Sequence, residues 1–256
     1  MSPPEPMPRT IVVTGATGGV GRGIALACGE AGWEVWIAAR REREGGAVAR
    51  EVDAAGGRGH FVACDVGTRE SVDAALDTIA ATSGRLHGIV HNATSGLSPV
   101  PTHLRDVTLE ELRDHVGVAL RGAYLLARKG HALLRESRGC FLLLTSEAGF
   151  EGKSRLAPYA GVKAAQRGFA RTLAREWGPD GIRVNALAPL AMSPAFERAF
   201  ELESAMKERV LGRIPLGRLG DAARDVGRAA RFLLSEDAAY VSAHTLMADG
   251  GSCPAT

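Results

Sequence analysis

Ile11-Val12-Val13-Thr14-Gly15-Ala16-Thr17-Gly18-Gly19-Val20-Gly21 reads as a buried strand that runs straight into a glycine-rich turn. From about residue 20 to 31 the apolar side chains recur at helical spacing, so strand, turn and helix come in that order. Glycines let the backbone turn sharply and come close to a bound group. A helix that starts there aims its free N–H groups and the positive end of its dipole at the turn. A pyrophosphate suits that environment. Tight turns are glycine-rich in many settings, so the motif takes its weight from the rest of the chain.

Working outward, apolar runs rich in Ile and Val recur at Thr10 to Thr14, Trp33 to Ala38, His60 to Ala63, Gly88 to His91, Cys140 to Thr145, Ile182 to Ala188 and His244 to Ala248. Helical patterns at about 20–31, 42–55, 69–82, 108–135, 157–177 and 222–234 lie between them. Strict alternation of strand and helix predicts an α/β fold: a doubly wound, seven-stranded and mostly parallel sheet with helices on both faces. The length of 256 residues fits one domain, expected over 9–256, behind a disordered tail at 1–8. Residues 190–216 break the rhythm and read as a lid over the substrate site. Met192, Phe196, Phe200, Leu202, Met206, Val210 and Ile214 form its apolar side, and Glu197, Arg198, Glu201, Glu203 and Lys207 its charged side. An amphipathic surface helix packed on the core is an equally open reading of that stretch.

With 31 Lys+Arg against 29 Asp+Glu, scattered along the chain, neither nucleic acid nor an anionic membrane is an expected partner. Cys28, Cys64, Cys140 and Cys253 fall singly and predict reduced thiols rather than disulfides or a zinc site. No leader pattern and no long apolar span is apparent, so a cytoplasmic location is expected. The histidines lack metal-ligand spacing, and no catalytic metal is predicted.

The second strand ends Trp36-Ile37-Ala38-Ala39-Arg40-Arg41. Dinucleotide sites commonly place an acidic residue there to grip the adenosine ribose. Two guanidinium groups instead suit a 2′-phosphate, which predicts NADP(H) over NAD(H); the alternative is that Arg40 and Arg41 are merely a solvated helix start. Further on, Tyr159 and Lys163 stand four residues apart in Pro158-Tyr159-Ala160-Gly161-Val162-Lys163 and share a helix face. Drawing a phenol from about 10 to about 7 takes roughly 4 kcal/mol, and an ammonium group supplies attraction of the right sign. Ser146 follows the strand Phe141 to Thr145 and so sits on the same carboxyl-end rim as the glycine turn.

These residues resemble the short-chain dehydrogenases/reductases in their Y-x-x-x-K branch, of the 3-oxoacyl-reductase kind, over about residues 10 to 252. The T-G-x-x-x-G-x-G motif appears as Thr14-Gly15 through Gly19-Val20-Gly21, and the adenine-contacting pair as Asp65-Val66. The N-A-G motif appears, altered, as Asn92-Ala93-Thr94. Ser146 precedes Tyr159 by thirteen positions, and Met247-Ala248-Asp249-Gly250-Gly251 matches the family's closing motif. The resemblance implies a Rossmann fold and catalysis by Ser146, Tyr159 and Lys163. Tyr159 would be the acid or base, Ser146 would hold the substrate oxygen, and Lys163 would lower the Tyr159 pKa while binding the nicotinamide ribose. For the cofactor it implies Gly15, Thr17, Gly19, Val20, Gly21, Arg40, Arg41, Asp65, Val66, Asn92, Ala93, Thr94, Tyr159, Lys163, Pro189, Leu190 and Ser193. It also implies a homo-oligomer, tetramer or dimer, with the helices at 108–135 and 157–177 in one interface.

The pattern also breaks. Where the family has a catalytic Asn in N-L-x-G, this chain reads Ala119-Leu120-Arg121-Gly122. His91, Thr94, Leu190 and Ser193 further reshape the nicotinamide corner, and His91 reads either as a structural histidine or as a pH-sensitive substrate contact. Pocket walls are expected at Thr94 to Pro101, Glu147 to Leu156 and 190–216, for a small carbonyl or alcohol substrate of apolar character. Two readings remain open. One is an NADPH-dependent ketoreductase, acting on a 3-oxoacyl or polyketide-like compound. The other, prompted by Ala119, is the same fold used for isomerisation or elimination, or only for binding cofactor.

Overall fold

The computed structural model describes residues 8–253 except 99, 194, 195, 198, 199, 202 and 203, with the backbone alone at 204–206. Residues 1–7 of the tail expected at 1–8, and the lid residues Arg198, Leu202 and Glu203, therefore lie outside the described residues, as does the Met206 side chain.

Seven strands form one sheet: β1 Thr10–Thr14, β2 Glu34–Ala39, β3 Arg58–Ala63, β4 Gly88–His91, β5 Cys140–Leu144, β6 Arg183–Pro189 and β7 Thr245–Ala248. Their order is β3-β2-β1-β4-β5-β6-β7 and every ladder is parallel. The four central strands β1, β2, β4 and β5 are buried at every position. That is why they read as unbroken Ile, Val and Leu runs rather than as alternation. At the two edges the pattern weakens to partial burial, in β3 and β7.

Helices α1 (Gly19–Gly29), α2 (Glu42–Ala54), α3 (Arg69–Ser83), α4 (Leu109–Val116), α5 (Gly122–Ser137), α6 (Ala148–Glu151), α7 (Ala157–Trp177), α8 (Ser204–Leu211) and α9 (Arg228–Leu234) connect them. Two apolar clusters result, one on each face of the sheet. Phe141, Leu126 and Trp177 mark the first, and Ile11, Ile37, Ile24 and Leu233 the second. A third, small cluster joins Leu190, Ile214 and Leu219 to Met192, Phe196, Phe200, Val210 and Leu211 of the lid segment. Among the described residues no helix is long and apolar enough to cross a membrane.

Two expected helices are each divided. In place of one helix over 108–135, α4 and α5 are separated by a π turn, Gly117–Arg121. In place of one over 222–234, a π turn at Ala222–Gly227 precedes α9. A π turn inserts a single residue without changing the side-chain types, so apolar spacing does not announce it. Glu111 with Thr108 forms a capping box that fixes the start of α4.

Candidate active site

In sheet order, β1 separates strands that were added in opposite directions, and the chain leaves β1 and β4 on diverging paths. A cleft opens at such a reversal, beyond the carboxyl ends of the strands. Here it has a volume of about 860 Å³, and its lining runs from the glycine turn after β1 to Tyr159 at the start of α7. Close packing shapes the turn. Gly15 has φ +66°, and a Cβ there would lie 2.8 Å from the Ala93 Cα; at Gly21 it would lie 2.5 Å from the Asn92 amide nitrogen. Asn92 stitches the turn to β4 by donating to the Thr14 carbonyl at 3.0 Å and the Gly15 carbonyl at 3.1 Å. Among the described residues no side chain caps α1, so the N–H groups of its first turn have no side-chain acceptor there beside the cleft.

Every residue expected at the cofactor lines this cleft except Gly19, whose place on the wall is taken by Gly18. Gly19 contributes its left-handed backbone, φ +53°, to the turn. Arg40 and Arg41 are exposed at the cleft. The Arg41 guanidinium donates to the Thr17 hydroxyl at 2.6 Å, which holds it against the glycine turn. The Asp65 carboxylate accepts from the Gly67 N–H at 2.9 Å and shapes the turn after β3. At the other end, Thr94 is hydrogen-bonded to Ser98 at 2.7 Å, and the Ser193 hydroxyl accepts from the Phe196 N–H at the root of the lid segment.

Ser146, Tyr159 and Lys163 meet on one wall of the cleft, as expected. The Lys163 Nζ lies 5.7 Å from the centre of the Tyr159 ring. The electrostatics differ from the sequence expectation. Burial raises the Tyr159 pKa, opposed by a hydrogen bond with Ser146 and reinforced by the Glu147 carboxylate. Burial likewise lowers Lys163 to about 7. Each ionised form is disfavoured by loss of water, so the lysine does not pull the phenol down in this state. Lys163 donates to the Leu144 carbonyl at 2.6 Å and to the Gln166 Oε1 at 3.1 Å, leaving one of its three N–H groups for the cleft.

Three features lay outside the sequence expectation. Gln166, fully buried on the same face of α7 as Lys163, donates from its amide to the Ala119 carbonyl at 2.9 Å. A polar residue three positions after Lys163, on a face otherwise turned inward, was its sequence signal. Asp114 and Val118 of the α4 region also reach the cleft, and Asp114 accepts a hydrogen bond from Ser95. The entrance carries an ionic group in which Lys153 pairs with Glu147 at 2.9 Å and Glu151 at 3.0 Å, while Arg213 pairs with Glu151 at 2.8 Å.

His91 is structural. It is fully buried, does not line the cleft, and lies 3.2 Å from the Thr14 hydroxyl through Nδ1 and 3.0 Å from the Ala119 carbonyl through Nε2. A carbonyl can only accept, so the proton sits on Nε2 and the Thr14 hydroxyl donates to Nδ1. Burial, helped by the Lys163 charge, lowers this imidazole to about 4.

A family profile described as enoyl-(acyl carrier protein) reductase matches residues 15–253. The chain is 34% identical to the 3-oxoacyl-[acyl-carrier-protein] reductase FabG of Pseudomonas aeruginosa, over 95% of this chain and 96% of that protein. It is 32% identical to a 2,5-dichloro-2,5-cyclohexadiene-1,4-diol dehydrogenase of Sphingobium indicum, again over 95% and 96%. Among solved structures, a putative short-chain alcohol dehydrogenase from Sinorhizobium meliloti superposes with TM-score 0.89 at 31% identity, covering 95% of this chain and 96% of the other. A 3-ketoacyl-(acyl-carrier-protein) reductase from Brucella melitensis, solved with NADH, gives TM-score 0.86 at 30% identity over 95% and 98%.

Proposed function

The chain belongs to the short-chain dehydrogenase/reductase family, and from that premise we propose that it transfers hydride between NADP(H) and a small ketone or its secondary alcohol. One observation carries the reading: Ser146, Tyr159 and Lys163 share the wall of the cleft that begins at the glycine turn. The uncapped start of α1 and the size of the cleft fit a dinucleotide. Arg40 and Arg41, with no carboxylate at the end of β2, favour the 2′-phosphorylated form.

A bound dihydronicotinamide supplies the hydride. Tyr159, a phenol protonated at neutral pH and raised further by burial, donates its proton to the carbonyl oxygen. The Ser146 hydroxyl bonds the same oxygen as negative charge builds on it. Lys163, with two of its N–H groups taken by Leu144 and Gln166, would offer the remaining one to the ribose hydroxyls of a bound cofactor and, when charged, would steady the phenolate. In the oxidative direction Tyr159 takes the proton instead. The apolar lid residues Leu190 and Phe196 on the cleft wall suit a substrate with a hydrocarbon part, of the 3-oxoacyl or polyketide kind. The enzyme is proposed to work in the cytoplasm as a homo-oligomer.

Absorbance at 340 nm, followed across a panel of 3-oxoacyl thioesters and cyclic ketones with each cofactor, tests this. Tyr159→Phe should lose turnover by at least about a hundredfold while keeping NADPH affinity. Arg40→Asp should weaken NADPH more than NADH. Full activity in Tyr159→Phe refutes the assignment, and equal cofactor preference before and after Arg40→Asp refutes the choice of NADP(H).

A further inference from the structure

On the reading above, each reduction leaves Tyr159 without its proton, and something must return one. The path behind Lys163 is closed. In the π turn Gly117–Arg121 the Ala119 carbonyl accepts from the His91 Nε2 at 3.0 Å and the Gln166 amide at 2.9 Å. Both of its lone pairs are thereby engaged, which leaves no place for a water. The group between Lys163 and that carbonyl is a carboxamide, which neither releases nor takes a proton near neutral pH.

Tyr159 has a second opening. Beside the main cleft, with which it shares Ser98, Leu156 and Tyr159, lies a side cavity of about 30 Å³ also walled by His115 and Glu111 of α4, Arg155 before α7 and Pro158 in its first turn. A cavity of that volume takes a water where polar groups converge. His115 is 6% exposed and its Nδ1 has no hydrogen-bond partner among the described residues. The His115 side chain lines this cavity, and a buried ring nitrogen without a protein partner is one that an ordered water satisfies. Glu111 lies one helical turn before His115 on the same face, lines the same cavity and is partly exposed; one of its carboxylate oxygens is held by the Thr108 cap, and the other leads toward solvent in the proposed path.

We propose that Tyr159 recovers its proton through water in this side cavity from His115, which is refilled through Glu111 from solvent. In reduction, the carbonyl carbon gains the hydride and its oxygen gains the Tyr159 proton. The phenolate then takes a proton from the cavity water, the water takes one from His115, and one solvent proton enters per turnover. Oxidation runs the same path outward. The charged and titratable groups facing His115 are Glu111 and Asp114 on its own helix, Lys163 and Tyr159 from α7, and Arg155 before it. Burial lowers the His115 pKa, the two carboxylates oppose that, and Lys163 reinforces it, so the ring is largely neutral at neutral pH and can take a proton on one nitrogen while releasing one from the other.

The inference rests on the proposed redox function, and its test separates the two. The first arm needs no substrate. Tyrosinate absorbance is titrated in the full chain and in Tyr159→Phe, and the difference isolates Tyr159 from Tyr124 and Tyr240. In His115→Ala, which removes the ring that reaches the phenolate through the cavity water, the Tyr159 ionisation midpoint should move upward; an unmoved midpoint overturns the pairing. The second arm uses NADPH and the N-acetylcysteamine thioester of acetoacetate. His115→Gln, which keeps hydrogen bonding but cannot relay a proton, should lower kcat by about tenfold with unchanged NADPH affinity and an altered pH profile. Added imidazole should restore turnover in His115→Ala. Wild-type kcat and pH profile in His115→Gln, without imidazole rescue in His115→Ala, overturn the relay. A wild-type protein that binds NADPH but turns over no ketone or alcohol overturns the redox reading instead, while the titration still decides whether His115 and Tyr159 are joined.

Discussion

A buried imidazole that cannot reach solvent has a measurable cost in acid. In the unfolded chain His91 takes up a proton near its ordinary pKa of 6.5, whereas in the folded protein it resists down to about 4. Between those values the unfolded state binds the extra proton, so stability falls as pH drops through the window. The loss attributable to His91 is on the order of 3 kcal/mol by pH 4. Urea unfolding across pH 4 to 7 should therefore show a steeper acid decline in the wild type than in His91→Gln; parallel curves would contradict the burial. At this scale the sequence was enough to bring the candidate residues together. Ser146, Tyr159, Lys163 and all but one of the expected cofactor residues line one cleft, because the carboxyl-end rim of a parallel sheet gathers residues from distant motifs. It carried the electrostatics poorly, since the spacing of Tyr159 and Lys163 predicts attraction but not the burial that outweighs it.

Among the elements, α1 packs against the π turn Ala222–Gly227 through glycine. A Cβ at Gly23 would fall on the Ala222 carbonyl, and one at Gly227 would meet the Gly23 carbonyl. Gly23→Ala must push two backbones apart and should destabilise by about 1–3 kcal/mol. Gly46→Ala, on an open side of α2 with its nearest neighbour 3.9 Å away, should instead stabilise by a few tenths to about 1 kcal/mol. Thermal unfolding of the two variants checks the contrast. Element order was legible because buried strands and amphipathic helices have different apolar periods. The two π turns were not, because what sustains the first is remote in sequence: the carbonyl freed at Ala119 is satisfied by His91 and Gln166, one from β4 and one from α7.

For the whole molecule, Leu109, Leu112 and Val116 of α4 and Tyr124 of α5 leave apolar surface exposed. This is the region where the family resemblance places a subunit interface, and burying it between copies supports the proposed homo-oligomer. Light scattering behind gel filtration should give a dimer or tetramer for the wild type and smaller particles for Leu112→Glu combined with Tyr124→Asp; a monomeric wild type would refute it. The reversal of strand order at β1 has a further bearing on descent. The proposed adenosine end of the cleft is built from residues 15–66, while the lid segment and the ionic group at the entrance come from 147–220, and both runs line the same rim. Substitutions confined to the lid segment and the ionic group at the entrance leave the glycine turn and the end of β2 as they are. A lineage carrying this architecture can exchange one chemical appetite for another while its hydride currency stays the same.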